Sequence, residues 1–171
     1  MSETRIYIAS LSDYNSGHIH GVWIDLDGDT DRADIHQAIQ SMLLTSRNQP
    51  AEEWAAHDYD GIPAAFGEHP DLDDLLEFVQ GVEDHGDAFR AWVEDRGVTN
   101  FIHEDFGDKY AGEANSEREW IEEHLEEMGV LNGVPENLRP YFDSEAFLRD
   151  MKLAGDVSMV EFDGTVYAFW S

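Results

Sequence analysis

The string Trp23-Ile24-Asp25-Leu26-Asp27-Gly28-Asp29-Thr30 holds the side chains best arranged for chemistry in this chain. A strand ending in Asp-x-Asp-Gly-Thr would offer one carboxylate to attack phosphorus and a second as acid and base, with Mg²⁺ neutralising the site. Here Asp29 is inserted before the threonine. The same string approaches a calcium loop through Asp25, Asp27 and Asp29. However, Thr30 stands where glycine makes the sharp turn, and His36 where a bidentate glutamate closes the shell. The reading that fits these residues better is a polar turn followed by a helix cap.

Histidine offers little more. His18 and His20 share a strand face and His57 adjoins Asp58, but there is no His-Glu-x-x-His and the others are scattered. Neither a metal site nor a cofactor is expected. With 38 acidic residues any pair of carboxylates can be found, so none marks a hydrolase. The chain has no cysteine, no GxSxG, no GxxxxGK[ST] and no GxGxxG. Lys109 and Lys152 are its only lysines, so there is no basic patch for nucleic acid. No enzyme is indicated, and a phosphatase of the haloacid-dehalogenase type remains as an alternative whose following βα units are missing.

The charge is itself the candidate function. Ten lysines and arginines against 38 acids leave a formal net charge of −28. It is spread along the chain, at −8 in residues 1–60, −8 in 61–103 and −12 in 104–171, among residues that are 42% hydrophobic. A disordered acidic tail lacks such residues, so the chain folds. Such self-repulsion opposes folding, repels nucleic acid and anionic membranes, and attracts basic surfaces. Glu119/Glu123, Glu122/Glu126 and Glu123/Glu127 are i,i+4 like-charge pairs, each costing a few tenths of a kcal/mol. Duplex DNA carries one charge per about 1.7 Å of axis, so 28 charges correspond to roughly 48 Å, about 14 base pairs. A sphere of this mass would expose about 8,500 Å², roughly threefold too dilute to match DNA. An elongated body with its charge on one side could match it. Halophilic adaptation, in a housekeeping domain, is the rival explanation of the same composition.

The elements that must position these groups are legible in outline. Arg5–Ser10 and His18–Leu26 alternate as strands, joined through the turn residues 13–17. Asp31 caps a helix that turns Ile35, Ile39, Met42 and Leu43 inward, and Glu53–Tyr59 forms a third strand. Asp71 opens a helix with Leu72, Leu75, Leu76 and Val79 as its stripe. Gly86 breaks it, and a second helix runs through Phe89 and Trp92 to Gly97. Ser116–Glu119 is a capping box ahead of a helix that buries Trp120, Ile121, His124, Leu125 and Met128. Short helices flank Pro140, and Val157–Phe162 with Thr165–Trp170 make a hairpin turning at Asp163-Gly164. The expected class is α+β, an elongated protomer of three small segments: 1–60, 61–103 and 104–171. No leader precedes Ile6 and no run reaches the roughly 20 apolar residues of a membrane span, so a cytoplasmic protein is expected.

Nearly the whole chain resembles the antirestriction protein ArdA family. The resemblance is carried by Ile6–Gly17, Gly21-Val22-Trp23, Glu53–Asp60, Ala111-Gly112-Glu113 with Ser116, and Glu126–Asp143, with Val130–Ser144 as counterpart of the family's antirestriction segment. Met128 stands where threonine is familiar. The resemblance implies a homodimeric DNA mimic, carried by mobile elements, that inhibits type I restriction–modification enzymes. It implies three small domains and dimerisation through the C-terminal one. The carboxylates expected to meet the enzyme's DNA groove are Asp73, Asp74, Glu77, Glu83, Asp84 and Asp87, then Glu117, Glu119, Glu122, Glu123, Glu126 and Glu127. Leu131, Val134, Tyr141 and Phe142 are the expected dimer contacts, with packing inside one protomer the alternative for each.

Overall fold

The structure is a computed structural model that describes residues 3–171; Met1 and Ser2, the first residues of the segment expected to hold no leader, lie outside them. The chain is α+β, with helices and two small antiparallel sheets. It divides into two compact units, Met1–His103 and Glu104–Ser171.

The first unit opens with β1 (Arg5–Ser10), α1 (Leu11–Asn15), β2 (Gly21–Asp25), α2 (Arg32–Leu44) and β3 (Trp54–Asp60). The sheet order is β2-β1-β3, so β1 is central, and its Ile6 pairs with Ile24 on one side and Tyr59 on the other. Strand alternation sends Ile6, Ile8 and Ile24 to the face where α2 lays down Ile35, Ile39, Met42 and Leu43, all buried. Asp31 caps α2 as expected, and Asp34 returns to the Asp31 backbone N–H to complete a capping box.

Two helices complete this unit, α3 (Leu72–His85) and α4 (Asp87–Arg96), separated at Gly86. Phe89 is the centre of their core. Its ring lies 6.1 Å from Phe78, 5.5 Å from Trp92 and 5.9 Å from Phe101, centroid to centroid. Gly81 makes this approach possible, since a Cβ there would sit 2.2 Å from the Phe89 ring. The expected stripe needs one correction: Leu76 is only half-buried, and Phe78 takes the inward position. Position 78 lies three residues after Leu75 and so faces the same way.

Of residues 13–17, expected as a turn, Ser16 and Gly17 make one, while Asp13–Asn15 form the end of a short helix over a buried carboxylate. Ser10 caps α1 by accepting from the Asp13 N–H, and Asp13 is 2% exposed. The Ser46 hydroxyl donates to Asp13 Oδ2 and the Asn48 amide lies 3.4 Å from Oδ1. The Ser46 bond, then the Ser10 hydroxyl, hold this carboxyl below its ordinary value of 3.8, with His20 and His18 adding to the effect against the cost of burial. Because the folded pKa is depressed, the stabilisation is complete above the unfolded value and is lost as pH falls through the folded one. The stability difference between wild type and Asp13→Asn should therefore shrink as denaturant titrations are moved from pH 7 down to pH 3. A difference independent of pH would remove the ionised carboxylate from this account.

The second unit comprises α5 (Phe106–Lys109), β4 (Tyr110–Ala114), α6 (Glu117–Glu127), a 3₁₀ turn (Glu136–Tyr141), α7 (Ser144–Ala154), β5 (Val157–Phe162) and β6 (Thr165–Trp170). Its sheet order is β4-β6-β5, all antiparallel. The hairpin turns at Asp163 (φ 50°) and Gly164 (φ 81°), the two positive values of a type I′ turn. Trp120, Ile121, Leu125, Leu148, Val157 and Ala168 form the core. β4 was not foreseen, because Gly112 at φ 103° interrupts it with a bulge and its alternation is weak. The bulge serves the core: the Trp120 indole N–H donates to the Ala111 carbonyl at 2.9 Å.

Candidate functional site

The Asp25–Thr30 string is a turn and a cap. Asp27 Oδ1 accepts from the Asp29 N–H and the Thr30 hydroxyl, both at 3.0 Å, and the chain then enters the Asp31 cap of α2. β2 is an edge strand of an antiparallel sheet, whereas a haloacid-dehalogenase-type site requires successive parallel βα units; that alternative is overturned.

On α6 the core dictates where the acids go. Trp120, Ile121 and Leu125 are buried, so Glu117, Glu122, Glu123, Glu126 and Glu127 are exposed. Ser116 caps the helix by accepting from the Glu119 N–H at 3.1 Å. Glu119, half-buried, returns to the backbone N–H of Asn115 at 3.1 Å, one residue earlier than a strict capping box would have it. His124 and Met128, expected inside, are half-buried; His124 stacks on Trp120 at 4.3 Å. Glu117 pairs with Lys152 at 2.7 Å and Glu122 with Arg118 at 3.0 Å. Glu123 and Glu126 make no ion pair among the described residues.

The charge spacing on this helix is informative. Eleven residues span about 16 Å at 1.5 Å per residue, so six glutamates less Arg118 give one net charge per about 3.3 Å. One strand of B-DNA carries a phosphate every 3.4 Å or so. The helix accepts this against its own stability: Glu126 and Glu127 lie in the last turn, where the macrodipole disfavours anions by about 0.3–1 kcal/mol each.

The acids of α3 and α4 are more deeply engaged. Asp71 caps α3, and Asp73 pairs with Arg32 at 3.0 Å. Glu77 Oε1 accepts from the His103 backbone N–H at 3.1 Å, Glu83 accepts from the Gly28 N–H, and Asp87 pairs with Arg90 at 2.7 Å. Asp84 Oδ1 accepts from the Gln80 amide at 3.1 Å. Asp74 is half-buried, and burial first, then Asp71, Glu77 and Asp73, push its carboxyl above the ordinary value. Of these seven residues, all but Asp74 thus hold the fold together with their side chains as well as charging it.

The residues expected at a dimer contact divide. Leu131 and Phe142 are half-buried and pack against the core of their own unit. Val134 is half-buried, and Tyr141, at 84% exposed, stands out beside Leu138 at 50%. The structure also brings together a group that the reading of scattered histidines missed: Asp84, His85 and His103, whose ligand atoms lie within 4.8 Å of one another. His103 is eighteen positions from His85, and no local spacing signals their meeting. No helix among the described residues is long and apolar enough to cross a membrane.

Compared with protein-family models, the chain matches the one described as Antirestriction protein (ArdA) over residues 6–166. No curated protein matches it.

Proposed function

The chain belongs to the ArdA antirestriction family, and on that premise we propose that it is a DNA mimic occupying the DNA-binding groove of type I restriction–modification enzymes. It acts without catalysis and without a cofactor of its own in this role. Its carboxylates take the places of phosphates and pair with the lysines and arginines that line the groove. Restriction of incoming mobile-element DNA is blocked in the cytoplasm where the enzyme works, and modification is blocked wherever it uses the same groove.

The observation that carries this reading is the α6 surface: one net charge per about 3.3 Å, close to the spacing of a phosphate strand. Solubility alone would be served by interspersed lysines, which would also relieve the like-charge pairs. Glu122, Glu123, Glu126 and Glu127 therefore rank first among the docking carboxylates, followed by Glu117 and Glu119. Asp73, Asp74, Glu77, Glu83, Asp84 and Asp87 contribute a second acidic surface whose members also serve the fold. A homodimer forms through the C-terminal unit, with exposed Tyr141 at the contact beside Leu131, Val134 and Phe142.

The test is a competition titration on a purified type I methyltransferase core carrying labelled duplex, at two salt concentrations. The protein should displace the duplex at low salt and lose its hold as salt rises. Duplex that stays bound at every protein concentration in low salt would refute groove occupancy.

A further inference from the structure

The geometry points to a transition-metal site formed by Asp84, His85 and His103, suited to a zinc ion held by two imidazoles and one carboxylate with a fourth position left to water. Imidazole nitrogen and carboxylate oxygen bind zinc at about 2.0–2.2 Å, and three protein ligands plus water is a common open form of such a site. The edge of a tetrahedron with bonds of about 2.05 Å is about 3.3 Å. His103 Nε2 and Asp84 Oδ2 already stand 3.5 Å apart, and all three ligand atoms lie within 4.8 Å of one another.

The neighbours hold these groups in place. The Gln80 amide donates to Asp84 Oδ1 at 3.1 Å, which leaves Oδ2 facing His103. Glu77 takes the His103 backbone N–H at 3.1 Å and so anchors the segment after α4 to α3. Both rings rest on the buried Phe89: His85 stacks at 6.0 Å, and His103 meets it edge-on at 5.1 Å. The two imidazoles then stand 5.4 Å apart at 87°. Hydrogen bonds to one carboxylate oxygen and packing beneath the rings are the outer-shell supports that orient metal ligands. An ordinary acidic patch lacks them. A bound ion would join the C-terminal end of α3 to His103 and reduce the negative charge at that spot by two.

The experiment uses the full, untagged chain. Zinc is titrated against a chromophoric chelator with excess Mg²⁺ present, so that diffuse binding to the many carboxylates is saturated. One equivalent should bind and survive the Mg²⁺. His85→Ala and His103→Ala should each weaken that affinity by tenfold or more, and Gln80→Ala by about 10–100-fold through the outer shell. His36→Ala, on the exposed side of α2, should leave it unchanged. Because His103 packs on Phe89, its variant is checked for folding by circular dichroism, and Asp84→Asn and His85→Gln decide if it unfolds. The site is overturned if no equivalent survives Mg²⁺, or if His36→Ala costs as much as His85→Ala.

Discussion

Glutamine at Glu122, Glu123, Glu126 and Glu127 together should weaken displacement of duplex from the type I core by roughly a hundredfold at low salt, while leaving the protein at least as stable. Raising salt from 50 to 200 mM costs a protein with six to ten phosphate contacts about 10³–10⁵ in affinity, so each contact contributes about half a decade more at the lower salt than at the higher. Four such contacts amount to about two decades, and the salt dependence should flatten by about 0.9 per contact removed. The stability effect has the opposite sign. The quadruple variant removes three like-charge pairs, each worth a few tenths of a kcal/mol, and two anions from the last turn of α6. Among the described residues it gives up the Glu122–Arg118 pair, which is exposed on both sides and worth little, and the long Glu127–His124 contact at 3.9 Å. Loss of inhibition with a raised melting temperature would separate docking from folding, which no core mutation can do. Each single Glu→Gln change should cost about threefold by the same scaling. If one of them abolished inhibition, a discrete hot spot would replace the distributed surface.

Much of this was legible in the residues because the local signals are strong. Asp31 with Ile35, Ile39, Met42 and Leu43 specifies α2 without help from the rest of the chain, and the Asp163-Gly164 hairpin is equally self-contained. What could not be read is what depends on distant partners. β4 exists because β6 pairs with it and Trp120 reaches back to Ala111, neither of which is signalled in Tyr110–Ala114. Asp13 looks like turn chemistry until Ser46, more than thirty residues away, is found donating to it. The acids of α3 could be counted in advance, but not divided into those that hold Gly28, Arg32 and His103, and Asp74, whose side chain makes no hydrogen bond or ion pair among the described residues. The glutamates of α6 were easier, since a helix with Trp120, Ile121 and Leu125 buried leaves them only one direction to face.

Trp120→Ala should unfold the second unit while the first keeps its structure. Trp120 is fully buried at the centre of its core, stacked on His124 and edge-on to Trp170 at 5.7 Å. Truncating a buried tryptophan costs about 3–5 kcal/mol, and the Ala111 carbonyl would lose its indole donor, adding about 1–3 kcal/mol if it stays dry. A unit of roughly 70 residues with no disulfide commands only about 3–5 kcal/mol in all, so the loss matches or exceeds what is available. The first unit has its own core around Ile6, Ile35 and Phe89. Hydrogen exchange should therefore show protection lost across 104–171 and kept in β1, α2 and α4. The same measurement on the wild type in dilute buffer bears on salt adaptation, because these buried aromatic and aliphatic cores do not draw on salt to hold together. Protection that collapses throughout the wild-type chain when salt is withdrawn would favour a halophilic domain. Protection that persists, with competition that fades as salt is added, is what a protein shaped to imitate phosphates should display.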